Sequence, residues 1–173
     1  MNIKTERLQL IPISEKDLGI FHETNTNHFV KEFLWDNEEI LKSVSTDIIC
    51  EVEAKFREEK WGLWKIVGVN DDTYLGYIGL WFFFDEKLPQ LLYSLLPEHT
   101  GNGYATEASQ GIINYAFEKL NFMYLIATMD KSNYNSIKVC NRLNMKLVEE
   151  KEIEGKPTLF YKLENKNYTQ QGL

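Results

Sequence analysis

Cysteine is scarce in this chain: Cys50 and Cys140 are the only two among 173 residues, far apart and outside any ligand-like spacing. That excludes a disulfide framework and a thiolate metal cluster, and suits a reduced, cytoplasmic protein. The three histidines, His22, His28 and His99, share no metal-binding spacing either, so no metal is expected. Long apolar runs are also missing. The longest, Tyr77 to Phe84, is far short of the ~20 residues that cross a bilayer, and the opening MNIKTERLQL has no apolar signal core. Basic residues are outnumbered, 19 against 26 acidic, for a net charge of −7. That sign argues against nucleic acid, whose binders displace counterions with Lys and Arg, and mildly favours a cationic partner such as an amine. No repeat, linker or low-complexity tract divides the chain, so one domain over 1–173 is expected, with a polar tail fraying from about 164.

What is present is an ordinary globular mixture, 43% hydrophobic and 26% charged, on a chain long enough to bury a core without staples. Arg7 to Ile13 alternates as a strand, and Ser14 with Asp17 three residues on predicts a helix start. A short helix is expected around His28 to Phe33. Asn37 is expected to cap a longer one reaching about Lys60, with Leu41, Val44, Ile48, Val52 and Phe56 as its apolar stripe. Leu63–Val69, Tyr74–Phe84 and Leu88–Leu96 read as strands joined by the polar turns 70–73 and 85–87, an antiparallel meander. A helix from about Tyr104 to Leu120, a strand Tyr124–Asp130, a helix Asn135–Leu143 and a hairpin about Glu154-Gly155 complete the order β-α-α-β-β-β-α-β-α-β-β. The fold class is mixed α/β, α+β-like.

The chemistry concentrates where a buried strand ends at Leu95 and Leu96, and Gly101-Asn102-Gly103 leads into Tyr104-Ala105-Thr106 at a helix start. The first helical turn leaves N–H groups unpaired at the positive end of the macrodipole, which suits a phosphate or diphosphate. Glycine keeps side chains out of that approach. A plain glycine turn capping a helix has the same local pattern.

Together, Gly103 to Ala108 (GYATEA), Asn133-Tyr134-Asn135-Ser136 and Arg142 to Met145 (RLNM) resemble the GNAT superfamily of N-acetyltransferases, most closely the branch that acetylates ribosomal-protein N-termini. Thr5 to Ile13 and the strand–turn–strand before Pro97 fit the same branch. The resemblance implies a central, mostly antiparallel sheet splayed between two strands and flanked by helices. It also implies acetyl-CoA in the gap as cosubstrate and direct transfer of its acetyl group to a primary amine. The family's phosphate loop has Gln or Arg, two residues, Gly, one residue, then Gly or Ala. Here these positions hold Thr100, Gly103 and Ala105, so one long polar contact is lost and the backbone cradle is kept. Leu95 and Leu96 would hydrogen-bond the pantetheine arm, Asn133 would contact it, and Ser136 would serve the leaving thiolate.

Acid and base depart from the family pattern. Cys140 stands where many members place a tyrosine acid, Gln90 stands near a common glutamate, and Asn144 replaces a glycine before Met145. Each candidate also has a plain structural role. Ser136 and Asn133 can cap their helix, Glu107 can serve its helix dipole, and Cys140 can simply pack. Glu107, Glu152 and Glu154 are the remaining candidates for a base. The tryptophans read as core, except Trp35, which falls where the family builds its substrate wall. The implied acceptor is first a protein or peptide α-amino group, then a polyamine, an antibiotic or a peptide toxin. A non-catalytic CoA-binding module is the alternative, and the state is monomer or homodimer.

Overall fold

Leu8 and Leu10 alternate with Gln9 and Ile11 and are fully buried, the period-two pattern that makes Leu8–Pro12 a strand, β2. A short β1, Ile3–Lys4, pairs antiparallel on its outer edge, with Ile3 opposite Leu10. The computed structural model describes residues 1–84 and 86–169. The expected turn residue Asp85 and the last four residues of the polar tail lie outside them. After β2, the Asp17 carboxylate accepts hydrogen bonds from the N–H and hydroxyl of Ser14, at 3.0 and 3.1 Å, starting a single 3₁₀ turn.

Three helices follow, α1 (Leu18–Thr26), α2 (His28–Leu34) and α3 (Lys42–Glu58), corresponding to the three helical segments expected, although the expected order of elements counts only two. Asn27 makes the break: its side chain accepts from the Phe29 N–H at 3.0 Å and caps α2. The expected cap at Asn37 is not there. α3 begins after Leu41, and Asn37 instead takes a left-handed φ of 65° in the connecting turn. The buried stripe of α3 is Ser45, Ile49, Val52 and Phe56, whereas Leu41 and Val44 are exposed. With the true start four residues later, the face that meets the core is set by the rigid end at Val52 and Phe56.

β3 (Leu63–Gly68), β4 (Tyr74–Trp81) and β5 (Gln90–Leu95) form the expected antiparallel meander and extend β1 and β2 into a five-stranded sheet. A second antiparallel sheet orders β6 (Tyr124–Asp130), β8 (Lys156–Glu164) and β7 (Lys146–Ile153). β5 and β6 lie side by side but belong to different sheets, so among the described residues the inner edge of β5 has no ladder partner. This is the splay. α4 (Tyr104–Glu118) covers the first sheet with fully buried Ala108, Ile112 and Ala116, and α5 (Tyr134–Arg142) buries Val139 and Cys140. One hydrophobic cluster runs from Leu8 in the first sheet to Tyr161 in the second. At the head of the polar tail, Asn165 donates to the carbonyls of Met123 and Phe122, both at 2.9 Å. Among the described residues no helix is long and apolar enough to cross a membrane.

Candidate active site

The turn from β5 into α4 passes Gly101 and Gly103 at φ 79° and 81°, left-handed values that an L side chain adopts only under strain. A Cβ at Gly101 would meet nothing within 4 Å, so its requirement is conformational and its surface is open. Among the described residues, the N–H groups of 101–106 donate to no protein acceptor. They gather at the positive end of a fifteen-residue helix. Arg7 holds the loop from behind. Its guanidinium donates to the Asn102 carbonyl at 3.1 Å, pairs with Glu107 at 2.7 Å and lies over the Tyr104 ring at 4.7 Å. Glu107 also accepts from the Thr5 hydroxyl at 2.6 Å and the Arg7 N–H at 2.8 Å. Burial alone would raise the Glu107 carboxyl, but the hydrogen bonds from Thr5 and Arg7 outweigh it and hold the group below the usual range. So engaged, Glu107 is a brace and not a base.

From this turn a cleft of about 450 Å³ runs between β5 and β6. Leu95, Gly101, Gly103, Tyr104, Ala105, Thr106, Asn133 and Ser136 all line it, as the sequence reading expects. Two expected members do not. Leu96 turns away, its N–H donating to the Leu75 carbonyl at 3.0 Å, and Asn102 faces the Arg7 side of the loop. Asn133 caps α5, its side chain accepting from the Ser136 N–H at 3.1 Å. Its capping and its place in the cleft therefore coexist.

Other wall residues escaped the sequence reading. Phe29 and Phe33 of α2 stand at the mouth, 40% and 37% exposed, Tyr93 and Ser94 of β5 line the floor, and the exposed Lys138 and Arg142 of α5 line the rim. The signal for Phe29 and Phe33 is their i, i+4 spacing on a short helix, which reads equally well as core. Trp35 is no part of the wall. Its indole donates to Asn25 Oδ1 at 2.8 Å, and Tyr77 donates to the same oxygen at 2.7 Å. This pins the end of α2 to the sheet. Gln90 is fully buried, donating to the Phe83 carbonyl and accepting from Thr128 at 2.7 Å, a structural role. Burial pushes the Cys140 thiol up to about 12, keeping it neutral and unreactive. Among the described residues no cluster of His, Cys, Asp and Glu is placed to hold a metal.

A backbone anion cradle opening into the gap of a split sheet defines a transferase that uses an acyl-CoA. Residues 7–146 match the acetyltransferase (GNAT) domain family, and the chain belongs to that family. It is 24% identical over 151 residues to the uncharacterized N-acetyltransferase YnaD of Bacillus subtilis (strain 168), covering 84% of this chain and 83% of that one. Its fold superposes with a TM-score of 0.80 on the ribosomal-protein-S5-alanine acetyltransferase from Vibrio fischeri, at 16% identity, covering 98% of this chain and all of the other. The TM-score is 0.75 for spermidine N-acetyltransferase from Vibrio cholerae in complex with CoA and spermine, at 16% identity over 93% and 97% of the two chains. The protein is thus a GNAT N-acetyltransferase with acetyl-CoA as cosubstrate. The residues present fit that group. Free N–H groups at 101–106 suit the diphosphate, the unpaired edge of β5 suits the amide-bearing arm, and Thr106 Oγ1 in the cradle is buried without a partner among the described residues.

Proposed function

We propose that the acceptor is the α-amino group of a protein or peptide, and that Ser136 donates a hydrogen bond to the departing CoA thiolate. One observation carries the first part: among the described residues lining the cleft there is no Asp, Glu or His. A lysine or polyamine nitrogen, near ~10.4, needs a strong base before it can attack a thioester, whereas an α-amine near ~7.7–8.0 is partly neutral already. The phenylalanine mouth also suits the side chains of a peptide better than a polycation. Ser136 is the hydroxyl on the α5 wall of the cleft, beside the capping Asn133.

The test is an acceptor panel followed by mass spectrometry: a peptide with a free N-terminus, the same peptide blocked at its N-terminus but carrying lysine, and spermidine. The free peptide should be acetylated on its α-nitrogen, with a rate rising through pH ~7.7–8.0. A higher kcat/KM for spermidine or for the lysine peptide would overturn the assignment. Ser136→Ala should lower kcat by about 10- to 100-fold and leave acetyl-CoA affinity unchanged.

A further inference from the structure

The Tyr93 hydroxyl on β5 is buried and has no hydrogen-bond partner among the described residues. A buried unpartnered hydroxyl is destabilising and calls for an explanation. Its neighbours are informative. The ring lines the cleft, and its oxygen lies against the face of α5 formed by Ser136 and Cys140, one turn apart. Of these, the Ser136 hydroxyl is the group that can accept a hydrogen bond from it. Phenylalanine would fill the same space without an orphaned oxygen.

We propose that Tyr93 is a positioning residue for the transfer: its hydroxyl donates to Ser136 Oγ, which turns the serine hydrogen outward to the sulfur of CoA. The inference rests on the reading of Ser136 given above. Burial pushes the phenol well above its ordinary value, so it stays protonated and acts as a donor rather than an acid. In the reaction the amine lone pair forms the N–C bond to the thioester carbonyl, and the C–S bond breaks with its electron pair moving to sulfur. The nitrogen gives one proton to solvent and the thiolate regains one from solvent, so amine and acetyl-CoA yield amide and CoA. Tyr93 and Ser136 end as they began.

The experiment is an ultraviolet titration of the CoA thiol bound to wild type, Tyr93→Phe, Ser136→Ala and the double variant, with melting curves and steady-state kinetics. The bound thiol should titrate about one pH unit higher in Tyr93→Phe than in wild type. The double variant should match Ser136→Ala, because the two hydroxyls act in series. Lys138 and Arg142 also line the cleft, but they are common to all four proteins and cancel in the comparison. Turnover of Tyr93→Phe should fall about 10- to 100-fold in kcat, with KM for acetyl-CoA within about twofold. Its ligand-free melting point should fall by no more than about 2–4 °C, the loss of one buried hydrogen bond. An unshifted thiol or additive effects in the double variant would each overturn the proposal. A wild type that binds CoA but transfers to no amine would overturn the acceptor reading alone, since the thiol titration still reports on Tyr93.

Discussion

Two residues, Arg7 and Glu107, explain how the cradle survives without the long side chain that its family places at Thr100. The pair reaches the loop from the opposite side, with Arg7 on the Asn102 carbonyl and Glu107 in the first turn of α4. Because the Glu107 carboxyl titrates below its ordinary range when folded, its stabilisation is complete above the unfolded value near ~4.3 and is lost as pH falls through the folded one. Glu107→Gln should therefore melt about 2–4 °C below wild type at pH 7, equivalent to about 1 kcal/mol after screening of the half-exposed Arg7. The gap should narrow as the pH falls below the ordinary carboxylate range and through the lower folded value, as melts over a series of acidic pH values would show. Asn144 illustrates the opposite case, a residue whose role is local. It takes a φ of 58° before Met145, the left-handed turn that its replacement of a glycine predicts.

Among the elements, β4 supports the strand that forms one side of the cleft. Ile66 faces Gly76 but Val67 faces Tyr74, so Leu75 is an extra residue that bulges the strand beside the end of β5. Gly76 sits in this bulge at φ 143°, and a Cβ there would fall 2.1 Å from the Ser94 carbonyl oxygen and 2.8 Å from Leu95 Cα. Gly76→Ala should cost about 2–4 kcal/mol, read by denaturant unfolding. Because the displaced backbone belongs to β5, acetyl-CoA affinity should fall as well. A stable variant with normal affinity would contradict the role given to that strand edge. The strands themselves were legible from alternation, and β6 matches its expected limits. α3 was less so. Its apolar residues repeat at helical spacing along more than one face, and only packing against the sheet selects Ser45 and Ile49 over Leu41 and Val44.

For the molecule as a whole, the cradle predicts a simple linkage. Acetyl-CoA at ~100 times its Kd adds about 2.7 kcal/mol, so the melting point should rise by about 5–11 °C at this chain length. ATP and NAD at the same concentration should raise it much less, and no rise with acetyl-CoA would contradict the site. The sequence by itself determined most of the order of elements, the meander, the glycine turn and, through its resemblance, the family, because alternation, helical spacing and left-handed turns are properties of neighbouring residues. Tertiary structure alone decided that Arg7 braces Glu107, that Trp35 is anchored on Asn25 and not in the cleft wall, and that Tyr93 lies beneath Ser136. Those contacts join residues on different elements. They exist because two sheets pack into one core while β5 and β6 part, an arrangement that residue spacing along the chain does not encode.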